Sequence, residues 1–177
     1  IEHLPFTTEE HIGAKARIGM VVLASDYTVE HEFKQIINHV GVDTYTARIE
    51  NEVQVTPETL AAMGERIPTA LKLILAGDSL DVVAYCCTSA SIVLGEETVF
   101  KALGEVQPAA LKTTPITAAF AAFDALGAKR IAVLTPYRAD VNAQVQAYIE
   151  KAGFTVPVFG SFNEEMDPVV AKIDQKS

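Results

Sequence analysis

The sequence predicts an α/β protein with mostly parallel sheet, and three observations carry that reading. Short apolar runs alternate with amphipathic stretches along the 177 residues, which is the pattern of β-α-β units. The helical stretches stop at Gly41, Gly104, Gly127 and Gly153, the residue that most readily takes the left-handed turn ending a helix. The pattern also starts over. Arg130-Ile131-Ala132-Val133-Leu134 mirrors Arg17-Ile18-Gly19-Met20-Val21, and Gly153 mirrors Gly41 at nearly the same offset. Two copies of β-α-β-α are expected, although any two such units look alike to a degree. The expected division is a first α/β domain over residues 1–114 and a second, pseudo-symmetric one over 115–177. The counterpart of Cys87 at that offset falls beyond Ser177, so the second domain is expected to be incomplete in this chain, cut before its cysteine strand.

Element by element, residues 17–24 (RIGMVVLA) read as a buried strand. The helix after it places Val29, Phe33, Ile36, Ile37 and Val40 on one stripe. Residues 42–49 are the second strand. Thr56 then caps a helix with Pro57 at its first position. Leu60, Met63, Ile67 and Leu71 form its apolar face, with Pro68 forced to kink or split it. Residues 81–86 make a third strand that runs into Cys87-Thr88-Ser89. Residues 92–103 read as one helix, 109–113 as a fourth strand and 116–126 as a helix. In the second copy, 154–159 match the second strand and 166–173 begin a helix.

Composition excludes whole classes. With 49% hydrophobic and 21% charged residues the chain is neither disordered nor membrane-spanning. Its apolar runs, 18–24 and 71–76, fall far short of the roughly 20 residues of a span. A net charge of −9 without a Lys/Arg stripe leaves no footprint for nucleic acid. Two adjacent cysteines build no disulfide framework, and no N-x-S/T acceptor or signal peptide is visible, so a cytoplasmic setting is expected. The chain opens on Ile1 rather than Met, and an upstream segment is therefore expected.

Ligands of parallel α/β sheets gather beyond the carboxyl ends of the strands. Three polar sequences fall there: Ser25-Asp26-Tyr27-Thr28, Cys86-Cys87-Thr88-Ser89 and Thr135-Pro136-Tyr137. Cys87 is the sharpest candidate, because a thiol at a helix start meets the positive end of the dipole, which favours the thiolate. Such a thiolate serves as a base or as a nucleophile; alternatively both cysteines are small core residues. Adjacent strand residues face opposite ways, so Cys86 reads as core. Thr88 and Ser89 offer amides and hydroxyls for a carboxylate. His3, His11, His31 and His39 have no metal-ligand spacing, and no phosphate loop occurs, so no metal or nucleotide is expected. Glu30, Glu32, Glu50 and Glu52 read as solvated faces. Tyr137 fits packing as well as binding, and Asn163 fits a helix cap as well as a substrate donor.

The stretches RIGMVVLASDYTVEHEF, VVAYCCTSASIVLG, ALKTTPITAAFAAFDALGAKRIAVLTPY and VAKIDQKS, in that order, run over most of residues 17–177. In them the chain resembles the aspartate/glutamate racemase superfamily, in the branch of maleate cis-trans isomerase and arylmalonate decarboxylase. Within it, ASDYTVEHEF most resembles the ectoine-utilisation proteins. The resemblance implies two similar α/β domains about a pseudo-twofold axis, a site between them, no cofactor, one cysteine from each domain, and frequently a homodimer. It implies that Cys87 is the first catalytic cysteine and that Thr88 and Ser89 lie in the carboxylate-holding loop. Tyr137 matches a substrate-contacting tyrosine, and Asn163 a carboxylate-binding asparagine of the second domain. Asp26 stands where maleate isomerases carry Asn and amino-acid racemases Asp. A carboxylate there repels a dicarboxylate, by several kcal/mol at worst in a dry site, and suits a substrate with an ammonium or amide N–H.

The expectation is a cofactor-independent racemase or isomerase acting on a small carboxylate or amino-acid-like molecule, with a role in ectoine degradation. Within enzymes the alternatives that the resemblance implies are maleate cis-trans isomerisation and arylmalonate-type decarboxylation; the presence of Cys87 speaks against the latter, because that chemistry usually lacks the first cysteine. A non-catalytic carboxylate-binding protein on the same scaffold is the alternative outside them.

Overall fold

The computed structural model describes residues 2–9, 12–174 and 176–177; His11 lies outside the described residues. Four strands form the first sheet: β1 (Ala16–Leu23), β2 (Val42–Ile49), β3 (Val82–Tyr85) and β4 (Leu111–Thr113). They run parallel in the order β2-β1-β3-β4. Met20, Val21 and Val22 of β1 are at most 2% exposed, so both faces of this central strand are covered, as a parallel sheet requires. A second sheet pairs β5 (Arg130–Thr135) with β6 (Thr155–Ser161), again in parallel. The α/β class with parallel sheets is thus the observed one.

The helices are α1 (Val29–Ile36), α2 (Pro57–Ala62), α3 (Ile67–Leu71), α4 (Thr88–Leu94), α5 (Glu96–Gly104), α6 (Pro115–Ala125), α7 (Ala139–Lys151) and α8 (Asp167–Val170). Thr56 caps α2 through a reciprocal pair with Thr59, and Pro57 takes the first helical position. Pro68 acts as expected: a 3-10 turn at Gly64–Arg66 separates α2 from α3, which opens with Ile67-Pro68. Leu60, Met63, Ile67 and Leu71 all enter the core.

Three helices differ from the sequence reading; the one expected over 166–173 is the short α8, Asp167–Val170. The helix expected over 92–103 is two helices, broken at Gly95, whose φ of +79° lies in the left-handed region. No atom sits within 4 Å of a Cβ built there, so backbone conformation rather than space calls for glycine. The first helix stops at Ile36, because Ile37 turns to extended backbone. The stripe is only half covered: Val29, Phe33 and Ile37 are half-buried, while Ile36 is 73% and Val40, beyond the helix end, 90% exposed; periodicity marked the face but not what covers it.

The second sheet joins the first through helices. Val141, Val145 and Ile149 of α7 belong to the same core cluster as Cys87, Ala90 and Ile92. Phe120 of α6 stacks with Tyr148 of α7 and with Phe154, which Phe123 meets edge-on. Glu96, at the start of α5, accepts hydrogen bonds from Thr117 and from Tyr148 Oη. Among the described residues no helix is long and apolar enough to cross a membrane.

Candidate active site

The carboxyl ends of β1, β2 and β3 deliver Ser25, Asn51 and Cys87 to one side of the first sheet, and the end of β5 delivers Tyr137. The chain leaves β3 at Tyr85 and turns at Cys87, extended at φ −132°, straight into α4. Cys87 is 5% exposed. Its sulfur lies 3.7 Å from Ser89 Oγ, and its carbonyl accepts the Ser91 hydroxyl at 2.6 Å. Tyr85, fully buried beneath it, directs its hydroxyl at the Met63 sulfur, 3.8 Å away.

The electrostatics run against the expected thiolate. Burial pushes the Cys87 thiol up to about 11; the Ala90 amide and the Ser89 hydroxyl oppose the rise, and the Asp167 carboxylate adds to it. The dipole of a seven-residue helix does not outweigh desolvation. Burial likewise raises the Tyr137 phenol, with the Cys87 sulfur adding to the rise and Ser89 opposing it. Cys86 is the half-buried member of the pair rather than the core one, since alternation along the strand turns Cys87 inward. Burial pushes its thiol up to about 12, with Asp26, Cys87 and Glu30 contributing.

The neutral thiol is favoured in the native state, so thiolate and its reactivity grow only as pH rises toward 11. Iodoacetamide labelling with peptide mapping is expected to be slow at Cys87 below pH 9 in the unliganded protein and to climb steeply above it. Fast labelling at pH 7 would contradict this.

Asp167 is the residue that sequence reasoning missed. It accepts hydrogen bonds from Ser25 Oγ and, at 3.3 Å, from Asn51 Nδ2. Asn51 in turn holds Ser25, donating to its hydroxyl at 2.8 Å and accepting from its amide at 3.2 Å. An antiparallel bridge between Gln54 and Met166 carries Asp167 there, with Val55 N on Glu165 O and Asp167 N on Val53 O, both at 2.9 Å. Arg138 grips Glu165 at 2.8 Å and steadies the crossing. Nothing local marks Asp167, since an acid followed by proline at a helix start reads as an ordinary first turn.

The sequence candidates divide accordingly. Cys87, Ser89 and Tyr137 are brought together, and Asn142 fixes Tyr137 by donating to its carbonyl at 2.7 Å. Thr88 is half-buried at the first position of α4. Asp26 is engaged within its own loop, where its Oδ1 accepts the Thr28 and Val29 amides at 2.9 Å, capping α1, and its carbonyl takes Arg48. Asn163 is exposed, with φ at +54°, and its amide donates to Ser161 Oγ at 2.9 Å. It shapes the turn between β6 and the bridge.

Ser89, Asn51, Leu60, Met63 and Asp167 are among the residues lining a cavity of about 10 Å³, the room of roughly one water. Ligand sites ordinarily offer roughly 300 Å³ or more, so this cavity by itself does not hold a substrate. Larger clefts of about 510 and 450 Å³ lie elsewhere, beside His39 and beside Gln107, away from any cysteine.

A model of the arylmalonate decarboxylase family matches residues 18–177. A maleate isomerase of Nocardia farcinica is 33% identical over 150 residues, covering 79% of this chain and 59% of the relative. A maleate isomerase of Pseudomonas putida is 30% identical over 154 residues, covering 79% and 60%. The chain thus spans less than two thirds of the length of these curated relatives. Among solved structures, Nocardia farcinica maleate cis-trans isomerase, as a cysteine-to-serine mutant with a covalently bound succinylcysteine intermediate, superposes with a TM-score of 0.81. Identity there is 28%, over 91% of this chain and 69% of that one. A maleate isomerase of Pseudomonas putida S16 with maleate gives 0.78 at 26% identity, over 90% and 68%. Because the match begins within β1 and runs to Ser177 over the same parallel sheets, the chain belongs to the arylmalonate decarboxylase family.

Proposed function

We propose that the protein is a cofactor-independent isomerase or racemase of a small carboxylate, with Cys87 as the reacting group. The observation that carries this is the convergence of Cys87, Ser89 and Tyr137 where β3 enters α4. The Cys87 thiolate either takes the proton α to a carboxylate, whose C–H electron pair passes into an enediolate that then takes a solvent-derived proton on its opposite face, or adds to an activated double bond, whose π pair passes into an enediolate. In the second case, after rotation about the new single bond, the thiolate is expelled as that pair reforms the double bond. The Thr88 and Ser89 amides hold the developing oxyanion. Tyr137 orients the substrate as a hydrogen-bond donor, since its raised phenol keeps its proton. The protein works as a two-lobed unit, with lobes at 1–114 and 115–177 and the site between them, as a cytoplasmic homodimer. Thr88 lies beside the substrate in this reading, Asp26 and Asn163 act by shaping the loops around it, and the ASDYTVEHEF segment supports a place in ectoine degradation.

A second reading is a carboxylate-binding protein without catalysis, favoured by the buried thiol pushed up to about 11. One experiment separates the two. The full chain is incubated in D₂O with maleate and, separately, with aspartate, and followed by proton NMR, with mass spectrometry of the Cys87 peptide. Conversion of maleate to fumarate, or loss of the aspartate α-proton signal, is expected in the wild type and not in Cys87→Ser. Ligand binding with neither reaction would establish the binding protein instead.

A further inference from the structure

We infer that Asp167 is the specificity-determining residue of this site, selecting substrates that carry an ammonium group beside their carboxylate. The inference rests on the reading of the Cys87 site as a carboxylate site and names its substrate class. Both donors that hold Asp167, Ser25 Oγ and Asn51 Nδ2, land on Oδ2. Among the described residues no hydrogen bond is made to Oδ1, and no Lys or Arg pairs with this carboxylate. Two neutral donors fix its direction without neutralising its charge. It lines the same small cavity as Ser89, whose hydroxyl is 3.7 Å from the Cys87 sulfur. Its charge reaches both Cys87 and Tyr137, raising each. A fixed, unneutralised carboxylate at the reacting thiol repels a second carboxylate and attracts a cation.

Asp26, which the sequence offers for this role, is drawn instead to the α1 amides, and its charge bears on Cys86. An ammonium seated between Asp167 and Cys87 also offsets the charge that opposes the thiolate. The substrate therefore brings the activating cation with it.

Succinate and aspartate test this, since they share a skeleton and two carboxylates and differ by one ammonium. Isothermal titration of the wild-type chain is expected to show aspartate binding at least tenfold more tightly. Asp167→Asn is expected to weaken aspartate at least tenfold and to erase the preference, and Asp167→Glu to keep it. The inference is overturned if the wild type binds succinate as tightly as aspartate, a result independent of how the variants fold. It is equally overturned if a folded Asp167→Asn keeps the preference. In both of those cases ligand binding persists and the carboxylate-site reading stands. If neither ligand binds and neither protects Cys87 from alkylation at pH 10, that reading fails and takes the inference with it.

Discussion

Replacing Cys87 by alanine is expected to lower turnover by a factor of roughly a thousand or more, the scale seen when a nucleophile or base is removed from an assembled site. The reasoning is positional. Cys87 is the sulfur at the junction of β3 and α4, with Ser89 at 3.7 Å and Tyr85, Tyr137 and Asp167 around it. Cys86, one residue earlier, faces the other way, and its thiol donates to the Ala84 carbonyl at 3.9 Å. Cys86→Ala is therefore expected to change turnover less than about threefold. The truncation removes one buried atom, so the Cys87→Ala protein should stay folded, with a stability loss on the order of 1 kcal/mol. Turnover by the NMR assay and circular dichroism together decide the matter. A folded Cys87→Ala retaining a tenth of wild-type activity would remove Cys87 from the mechanism.

Leu71→Ala is expected to cost about 2–5 kcal/mol of unfolding free energy. Leu71 is 0% exposed and ends α3, which packs on β1, β2 and α5, so its loss leaves a void that three elements border. In a chain of this length that lowers the melting temperature by roughly 5–15 °C. Leu73, two residues on and 73% exposed, supplies the control: Leu73→Ala should stay within about 0.5 kcal/mol. Urea unfolding of both variants checks the contrast, and equal losses would contradict the packing described for α3.

The same contrast shows what the sequence made legible. The period of Leu60, Met63, Ile67 and Leu71 identifies a buried face and Thr56-Pro57 its start, because capping and helical period are local properties. An equally regular stripe at Val29, Phe33, Ile36, Ile37 and Val40 contributes no buried residue, with Ile36 and Val40 exposed, because period reports which residues share a face and not what that face meets. Gly95 reads in sequence as one glycine within an apolar stretch, yet its left-handed backbone divides α4 from α5. In the site, the junction of β3 with Cys87-Thr88-Ser89 is readable as a strand end entering a helix. Its protonation is not, since desolvation depends on what is packed above the thiol. Asp167 meets Ser25 across 142 positions, through a bridge that leaves no periodic trace, so no local rule could pair them.

That bridge, at Gln54 and Met166, is held among the described residues by two main-chain bonds, Val55 to Glu165 and Asp167 to Val53. Each contributes about 0.5–1.5 kcal/mol net, and lying side by side they part in sequence like the last teeth of a zip. Together they contribute roughly 1–3 kcal/mol, to which the Arg138–Glu165 and Asn51–Asp167 contacts add, so the crossing stands open in a few molecules in a hundred at most. Breathing of this crossing on the microsecond-to-millisecond scale then opens the cavity between Ser89 and Asp167, which at rest has room for one water.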